Sequence, residues 1–172
     1  AGPTGPTGPT GQDGQGEVSF AQINSLQTQT LATGGSPTMV AFNILDRGSG
    51  ISITDTPNTI TFSEAGFYRI EYAANFQFTD DSTFLFDTLR IWPLINGGNL
   101  PYNATGTYTR IFANTEVVFG RTFILNISAG DELTFMMSAE NGGTGIGIYP
   151  FSSGALGADV PSIKISINKI SK

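Results

Sequence analysis

The sequence predicts an all-β protein in which about ten antiparallel strands form two packed sheets, preceded by a short collagen-like stem. Three observations support this prediction. Apolar and polar residues alternate with period two in many segments, clusters rich in Gly, Asn and Asp separate those segments, and glycine recurs at every third position near the start. We therefore expect a stem over residues 1–16 and a single head domain over residues 17–172.

The stem is defined by glycines that recur with period three, namely Gly2, Gly5, Gly8, Gly11 and Gly14. In a collagen triple helix every third residue faces a crowded common axis that admits only glycine. A flexible linker rich in Gly, Pro and Thr is the alternative. Three identical Gly-Pro-Thr units in phase with two further glycines favour the collagen interpretation. Because so short a triple helix would not stay associated unaided, we expect the head to hold three chains in register.

The clearest strand lies over residues 67–78. Its even positions are apolar and its odd positions are largely polar, so one face is predicted to be buried and the other exposed to solvent. Further strands are predicted over residues 18–23, 39–45, 51–53, 60–62, 89–95, 108–112, 117–127, 133–137, 146–149 and 163–167. Turn-forming clusters such as Asn96-Gly97-Gly98 bound these segments and supply the residues that tight reversals need.

One stretch, residues 22–31, has apolar residues spaced widely enough to suggest a helix. Asn, Ser and Thr residues within it have low helix propensity, and the segment Gly34-Gly35-Ser36-Pro37 would end a helix there. A strand that leads into a loop is therefore the better prediction.

The composition excludes several classes of function. The chain has no His and no Cys, which excludes Ser-His and Cys-His nucleophiles, zinc sites built on those residues, and disulfides. Its net charge is −6, and all three lysines (Lys164, Lys169 and Lys172) lie near the last residue, so no basic stripe can neutralise phosphates. No apolar run approaches the roughly 18 residues that cross a membrane. We expect no cofactor, no enzymatic activity, no nucleic-acid partner and no membrane insertion.

The segment Phe62-Ser63-Glu64-Ala65-Gly66-Phe67-Tyr68-Arg69-Ile70 resembles the best-known motif of the complement-subcomponent and tumour-necrosis-factor superfamily. Other segments match the order of that superfamily, namely Val18–Ala21, Val40–Asn43, Leu94–Gly97, Ile127–Leu133 and Ser162–Ile170. The resemblance covers nearly the whole head. It implies a ten-strand antiparallel jelly-roll sandwich that forms a homotrimer.

The Gly-Pro-Thr triplets and the phrase Ser-Glu-Ala-Gly-Phe-Tyr-Arg-Ile most resemble the BclA family of bacterial exosporium collagen-like glycoproteins. This resemblance implies an extracellular trimeric filament on the spore surface, with the head outermost and open to a host receptor or glycan. Because the chain opens on Ala1-Gly2-Pro3, we expect a fragment whose missing N-terminal region attaches to spore-surface or appendage proteins. The family carries O-linked sugars on stem threonines, which makes Thr4, Thr7 and Thr10 the candidate sites.

Thirteen Phe and five Tyr are more aromatic residues than one small core needs. We therefore consider some of them as trimer-axis residues, with burial inside the single subunit as the alternative. The residues assigned to the fold motif, to the core or to that axis are Phe62, Gly66, Tyr68, Tyr72, Phe76 and Phe135, and the candidates for the axis itself are Tyr68, Tyr72, Phe76 and Phe135.

The acidic residues are weak candidates for a calcium site or a catalytic site. Asp80 and Asp81, with Asp87 nearby, form a candidate calcium site, but a solvated turn is the better interpretation of paired acids between two apolar strands. Glu64, Glu71, Glu132 and Glu140 do not predict a glycosidase pair, because surface strands commonly carry such carboxylates. Asn103 and Asn126 begin formal N-glycosylation sequons that we expect to be unused.

These observations predict a structural, non-enzymatic surface protein, in which a trimeric head nucleates and ends a collagen-like fibre. The tip of a phage or virion fibre is a second hypothesis, because such fibres also join collagen triplets to trimeric β heads. A carbohydrate-binding module is a third, with Trp92, Tyr102, Tyr108 and Tyr149 as the residues that would stack on sugars.

Overall fold

The computed structural model describes residue 2 and residues 18–31, 35–55, 58–79, 85–100, 107–141, 145–151 and 159–171. Several residues singled out above lie outside this part of the chain: Gly5, Gly8, Gly11, Gly14, Thr4, Thr7, Thr10, Asp80, Asp81, Tyr102 and Asn103. The structural account below therefore concerns the head.

All the regular structure in the described residues is β-strand, which confirms the predicted all-β class. The strands are β1 (Phe20–Ser25), β2 (Gln29–Thr30), β3 (Thr38–Met39), β4 (Ile44–Ser49), β5 (Ile51–Asp55), β6 (Asn58–Phe62), β7 (Gly66–Phe78), β8 (Phe86–Ile95), β9 (Gly98–Asn99), β10 (Thr107–Phe112), β11 (Thr115–Ile127), β12 (Glu132–Ala139), β13 (Ile146–Ile148) and β14 (Ile163–Ser171). No helix forms over the described residues 22–31, and the structure has β1 and β2 there. None of the described residues belongs to a helix long and apolar enough to cross a membrane.

The strands form two antiparallel sheets of seven strands each. Sheet A has the order β2-β13-β7-β14-β1-β4, and β11 pairs with the other edge of β7. Sheet B has the order β10-β8-β12-β6-β5, with β3 beside β12 and β9 beside β8. The strand that was expected over residues 39–45 is divided between the two sheets, because β3 pairs with β12 whereas β4 pairs with β1.

The alternation predicted for residues 67–78 is present in β7. Its even-numbered side chains are buried, and the odd-numbered ones from Phe67 to Ala73 are exposed. The buried rings join the two sheets: Tyr68 packs edge-to-face on Phe62 of β6 at 4.8 Å between ring centroids, and Tyr72 packs on Phe135 of β12 at 5.3 Å. The core therefore lies between the sheets and is rich in aromatic contacts.

The four residues considered for a trimer axis all lie in this core. Tyr68 and Phe135 have no exposed surface, and Tyr72 and Phe76 are each 1% exposed. A side chain without exposed surface cannot bury any against another subunit. These four residues therefore belong to the subunit interior, which was the alternative interpretation.

The local geometry explains why the motif has glycine at position 66 and tyrosine at position 68. Gly66 has a φ of +154°, and a β-carbon there would lie 2.5 Å from the carbonyl oxygen of Ser171 and 2.6 Å from Cε of Lys169. The hydroxyl of Tyr68 donates a hydrogen bond of 2.9 Å to the carbonyl oxygen of Glu64, which closes the turn. The glycine lets the last strand pass close by, and the tyrosine holds the turn against the core.

The close pairing of β7 and β11 generates a first prediction. Gly120 of β11 lies opposite Ala73, and an added β-carbon would contact the carbonyl oxygen of Tyr72 and lie 3.2 Å from Cα of Ala73. Because these are backbone atoms in the central strand, Gly120→Ala should lower the free energy of unfolding by about 2 kcal/mol or more. Urea unfolding followed by circular dichroism measures the change.

Gly98→Ala is the matched control, because its added methyl would meet its nearest atom, the carbonyl oxygen of Ile95, at an ordinary 3.4 Å. Its effect should stay within about 0.5 kcal/mol. Equal unfolding midpoints for the two variants would contradict the prediction.

Candidate functional site

The head has two distinct ends, set by the direction of β7. At one end, the base, Phe67 pairs with Ser171, and the amide of Lys169 donates to the carbonyl oxygen of Ser19 just after the stem. At the other end, the tip, Phe78 pairs with Thr115 and Ile146. Thirteen residues of extended chain separate the ends by about 40 Å. The described residues of the head therefore begin at the base, with Val18 and Ser19.

A polar clasp joins three parts of the chain at the base. The ammonium group of Lys169 lies 2.6 Å from Oε2 of Glu64, and the hydroxyl of Ser19 donates to the same oxygen at 3.4 Å. The side chain of Lys169 is 9% exposed and that of Glu64 is 46% exposed, so the lysine depends on the carboxylate more than the reverse. The clasp ties the residue that follows the stem to the motif turn and to the last strand.

Large apolar side chains remain exposed around this clasp. Along the outer face of sheet A the register aligns Ile124, Arg69, Asn168 and Phe20 in one row, with Phe67 in the next row toward the base. We call the following residues the base apolar cluster, with their exposed fractions: Val18 (56%), Phe20 (39%), Phe67 (43%), Ile124 (58%) and Ile170 (51%). A group of neighbouring exposed apolar side chains is typical of an association site.

A different surface covers the outer face of sheet B. Arg110 lies opposite Thr88, and Phe112 opposite Phe86, where β10 pairs with β8. The guanidinium carbon of Arg110 lies 4.3 Å from the centroid of the Phe86 ring, and the Phe86 and Phe112 rings meet edge-to-face at 6.2 Å. Arg90 follows on the same face of β8. Sequence analysis missed this grouping because the arginines are isolated in the chain, and only strand register brings them together.

The aromatic residues predicted to stack on sugars do not all lie on one face of the head. Trp92 is half-buried in β8 of sheet B, whereas Tyr149 follows β13 of sheet A and is also half-buried. Tyr108 pairs with Arg90, next to Trp92 in the sheet. Burial raises the pKa of the Tyr149 hydroxyl, and a hydrogen bond with Thr79 partly offsets that effect. Trp92 and Tyr149 therefore lie on different sheets and do not share one surface.

The acidic candidates occupy separate environments. Asp87 is 1% exposed, and its carboxylate accepts hydrogen bonds from the backbone amides of Thr88 at 2.6 Å and Asn141 at 3.1 Å. The buried carboxylate of Asp87 in β8 therefore fixes the segment after β12, whereas the expected solvated turn at Asp80 and Asp81 lies outside the described residues. Glu64 and Glu71 form ion pairs with Lys169 and Arg69.

Glu132 and Glu140 lie at opposite ends of β12, and Asn126 faces solvent within β11. In the part of the chain that the structure describes, no three His, Cys, Asp or Glu residues come together as metal ligands. The glutamates therefore do not converge on one site.

Comparison with known proteins identifies the fold. No protein-family model matches the chain, and no curated protein matches its sequence. The crystal structure of murine APRIL at pH 5.0 is similar, with a TM-score of 0.56 over 90% of this chain and 100% of that chain, at 11% sequence identity. The head thus has a jelly-roll fold of the tumour-necrosis-factor type. At this identity the likeness concerns the fold alone.

The clasp generates a second prediction. Glu64→Gln leaves the buried ammonium group of Lys169 without its carboxylate, so the free energy of unfolding should fall by about 1–2 kcal/mol. Glu71→Gln is the control, because both side chains of its ion pair with Arg69 are 55% exposed. Its effect should be below about 0.5 kcal/mol. Thermal and urea unfolding compare the two, and an equal loss would show that burial of Lys169 contributes nothing.

Proposed function

We propose that this chain is the trimerising head and adjoining stem of a collagen-like surface filament, a structural protein without enzymatic activity. Three jelly-roll heads would pack around one axis and hold their glycine-repeat stems in phase. The observation that carries this proposal is the base apolar cluster, which lies around Val18 and Phe20, the first described residues of the head.

The geometry of a collagen stem supports this arrangement. The three chains of a triple helix wind closely around a common axis, so the first head residues of all three subunits must lie near that axis. Val18 and Phe20 are those residues, and Phe67 and Ile170 lie at the same end of sheet A. Three copies of the base apolar cluster would therefore meet at the axis and bury surface that a single subunit leaves in water.

The five triplets of this chain need a head that associates first. The glycine register continues for only five triplets before Glu17 interrupts it. Aligning three free chains costs translational and conformational entropy that so few triplets do not recover. A preformed head trimer raises the effective concentration of the stems to roughly the millimolar range, which favours the triple helix.

The resemblance to the exosporium glycoprotein family supports a location outside the cell, on the surface of a spore or its appendages. In this proposal the filament attaches through a region N-terminal to the stem, and Thr4, Thr7 and Thr10 carry O-linked sugars. The head would then stand outermost, with its tip farthest from the spore.

The trimer proposal predicts the behaviour of a chain without its stem. Deletion of residues 2–16 should leave a trimer in multi-angle light scattering, because the head supplies the association. In the same background, Ile124→Glu should yield monomers, since it would place three carboxylates in the apolar contact. A stemless chain that is monomeric would refute the proposal.

Val118→Glu is the matched control for that experiment. Val118 is also a β-branched residue of β11 on the outer face of sheet A, it is 65% exposed, and it lies near the tip. The Val118 variant should remain trimeric. If it dissociates while the Ile124 variant does not, the contact lies at the tip and the base apolar cluster is not the interface.

The collagen interpretation of the stem makes a separate prediction. Gly8→Ala should lower the melting temperature of the triple-helix circular dichroism signal, because no methyl group fits at the axis. The unfolding of the head should change little. An unaltered stem signal would indicate a loose linker. Thr7→Ala is the control, since the third position of the triplet points outward.

A further inference from the structure

The outer face of sheet B carries a cationic and aromatic surface toward the tip. We call it the Arg-aromatic face and define it by the outward-facing residues Phe86, Arg90, Trp92, Arg110 and Phe112 of β8 and β10. The register places Arg110 opposite Thr88, so that Arg90 is its diagonal neighbour two residues along β8. Trp92 lies one further step along the same face and pairs with Met136 of β12.

This face is unusual in so acidic a chain. The protein has fourteen acidic and eight basic residues, yet neither Arg90 nor Arg110 forms an ion pair within the described residues. Asp87 lies between them in β8, but it is 1% exposed and its side chain belongs to the interior. Glu140 is exposed at the edge of the face beside Thr88 and forms no ion pair with either arginine. With respect to the described residues, both exposed guanidinium groups are therefore open to an anion from solvent.

We propose that the Arg-aromatic face binds an acidic oligosaccharide, whose carboxylates pair with Arg90 and Arg110 while a sugar ring stacks on an aromatic side chain. A guanidinium group matches a carboxylate through two parallel hydrogen bonds. A guanidinium that lies over a ring, as Arg110 lies over Phe86, can still donate from its edge. The half-buried ring of Trp92 and the exposed ring of Phe112 offer apolar surface to the C–H groups of a sugar.

The same observations argue against other anionic partners. An acidic peptide that bound by strand addition would pair with β10 at the edge of sheet B, and not with β8, which carries Arg90 and Trp92 and already pairs with β10 and β12. A nucleic acid presents a dense row of phosphates and needs many cations to neutralise them, whereas this face supplies two. An acidic polysaccharide carries few carboxylates per sugar ring, so two arginines beside aromatic side chains suit it better.

The inference stands independently of the proposed function, because the Arg-aromatic face lies on sheet B and the base apolar cluster lies on sheet A. Their tests also differ, since one measures oligomeric state and the other measures ligand binding. A filament head that failed to trimerise would still present this face.

Trp92 provides a direct probe, because it is the one tryptophan in the chain. A hyaluronan octasaccharide, added to the full chain at low salt, should change the fluorescence of Trp92 saturably. The effect should weaken at about 0.5 M NaCl, where charges are strongly screened. Maltooctaose, a neutral oligosaccharide of the same length, should bind at least about tenfold more weakly, because it lacks the carboxylates. Equal binding of the two sugars would overturn the inference.

Substitutions on the face should change the affinity in both directions. Combining Arg90→Gln with Arg110→Gln should lower the affinity for the octasaccharide about tenfold or more. Glu140→Gln should raise it roughly twofold, since it removes a repulsive charge from the edge of the face. Arg47→Gln is the control, because Arg47 is an exposed arginine of β4 in sheet A, and it should leave the affinity unchanged.

Three results would contradict the inference. They are the absence of saturable binding by the parent chain, wild-type affinity in the double arginine variant, and equally tight binding of poly-glutamate, which would show a response to charge alone. Circular dichroism establishes that each variant is folded. If the double variant is unfolded, the Glu140 variant and the salt dependence remain decisive, since neither removes a contact from the core.

Discussion

The whole head depends on the pairing and burial of β7. This strand pairs with β11 along all thirteen of its residues, and its other edge pairs with β14 and β13. Its inward rings, Tyr68 and Tyr72, cross the core to Phe62 and Phe135 of sheet B. One strand thus connects the two sheets, fixes the register of three neighbours and spans the distance from base to tip. The positions of both candidate surfaces therefore depend on β7.

The sequence predicted the elements whose pattern is long enough to be periodic. β7 and β11 alternate over most of their thirteen residues and were expected at nearly their observed positions, whereas the prediction for β14 covered only its alternating first part, residues 163–167. The strands β2 and β9 have two residues each, and so few residues cannot display a period. They exist because partners in β13 and β8 accept their backbone groups. Tertiary pairing of this kind leaves no local signal in the chain.

The candidate surfaces were harder to predict, because they depend on register and burial together. An aromatic residue at an alternating position has the same appearance whether it faces the core or a partner, so the count of rings did not distinguish Tyr72 from Phe67. The structure separates them by face: Tyr72 is 1% exposed and Phe67 is 43% exposed. Arg90 and Arg110 meet only because β10 pairs with β8 in one particular register.

The same topology gives the proposed filament a path for mechanical load. Tension in the stem would reach the head at Val18 and pass into β1, whose first residue is Phe20. That strand pairs with β14 through six residues on one edge and with β4 through five on the other. A pull along β1 loads these ladders together, so no single hydrogen bond must break first. Beside these ladders, Glu64 accepts a hydrogen bond from the hydroxyl of Ser19 and forms an ion pair with Lys169. The contacts that hold Ser19 and β1 at the base are thus the contacts that would resist such a pull.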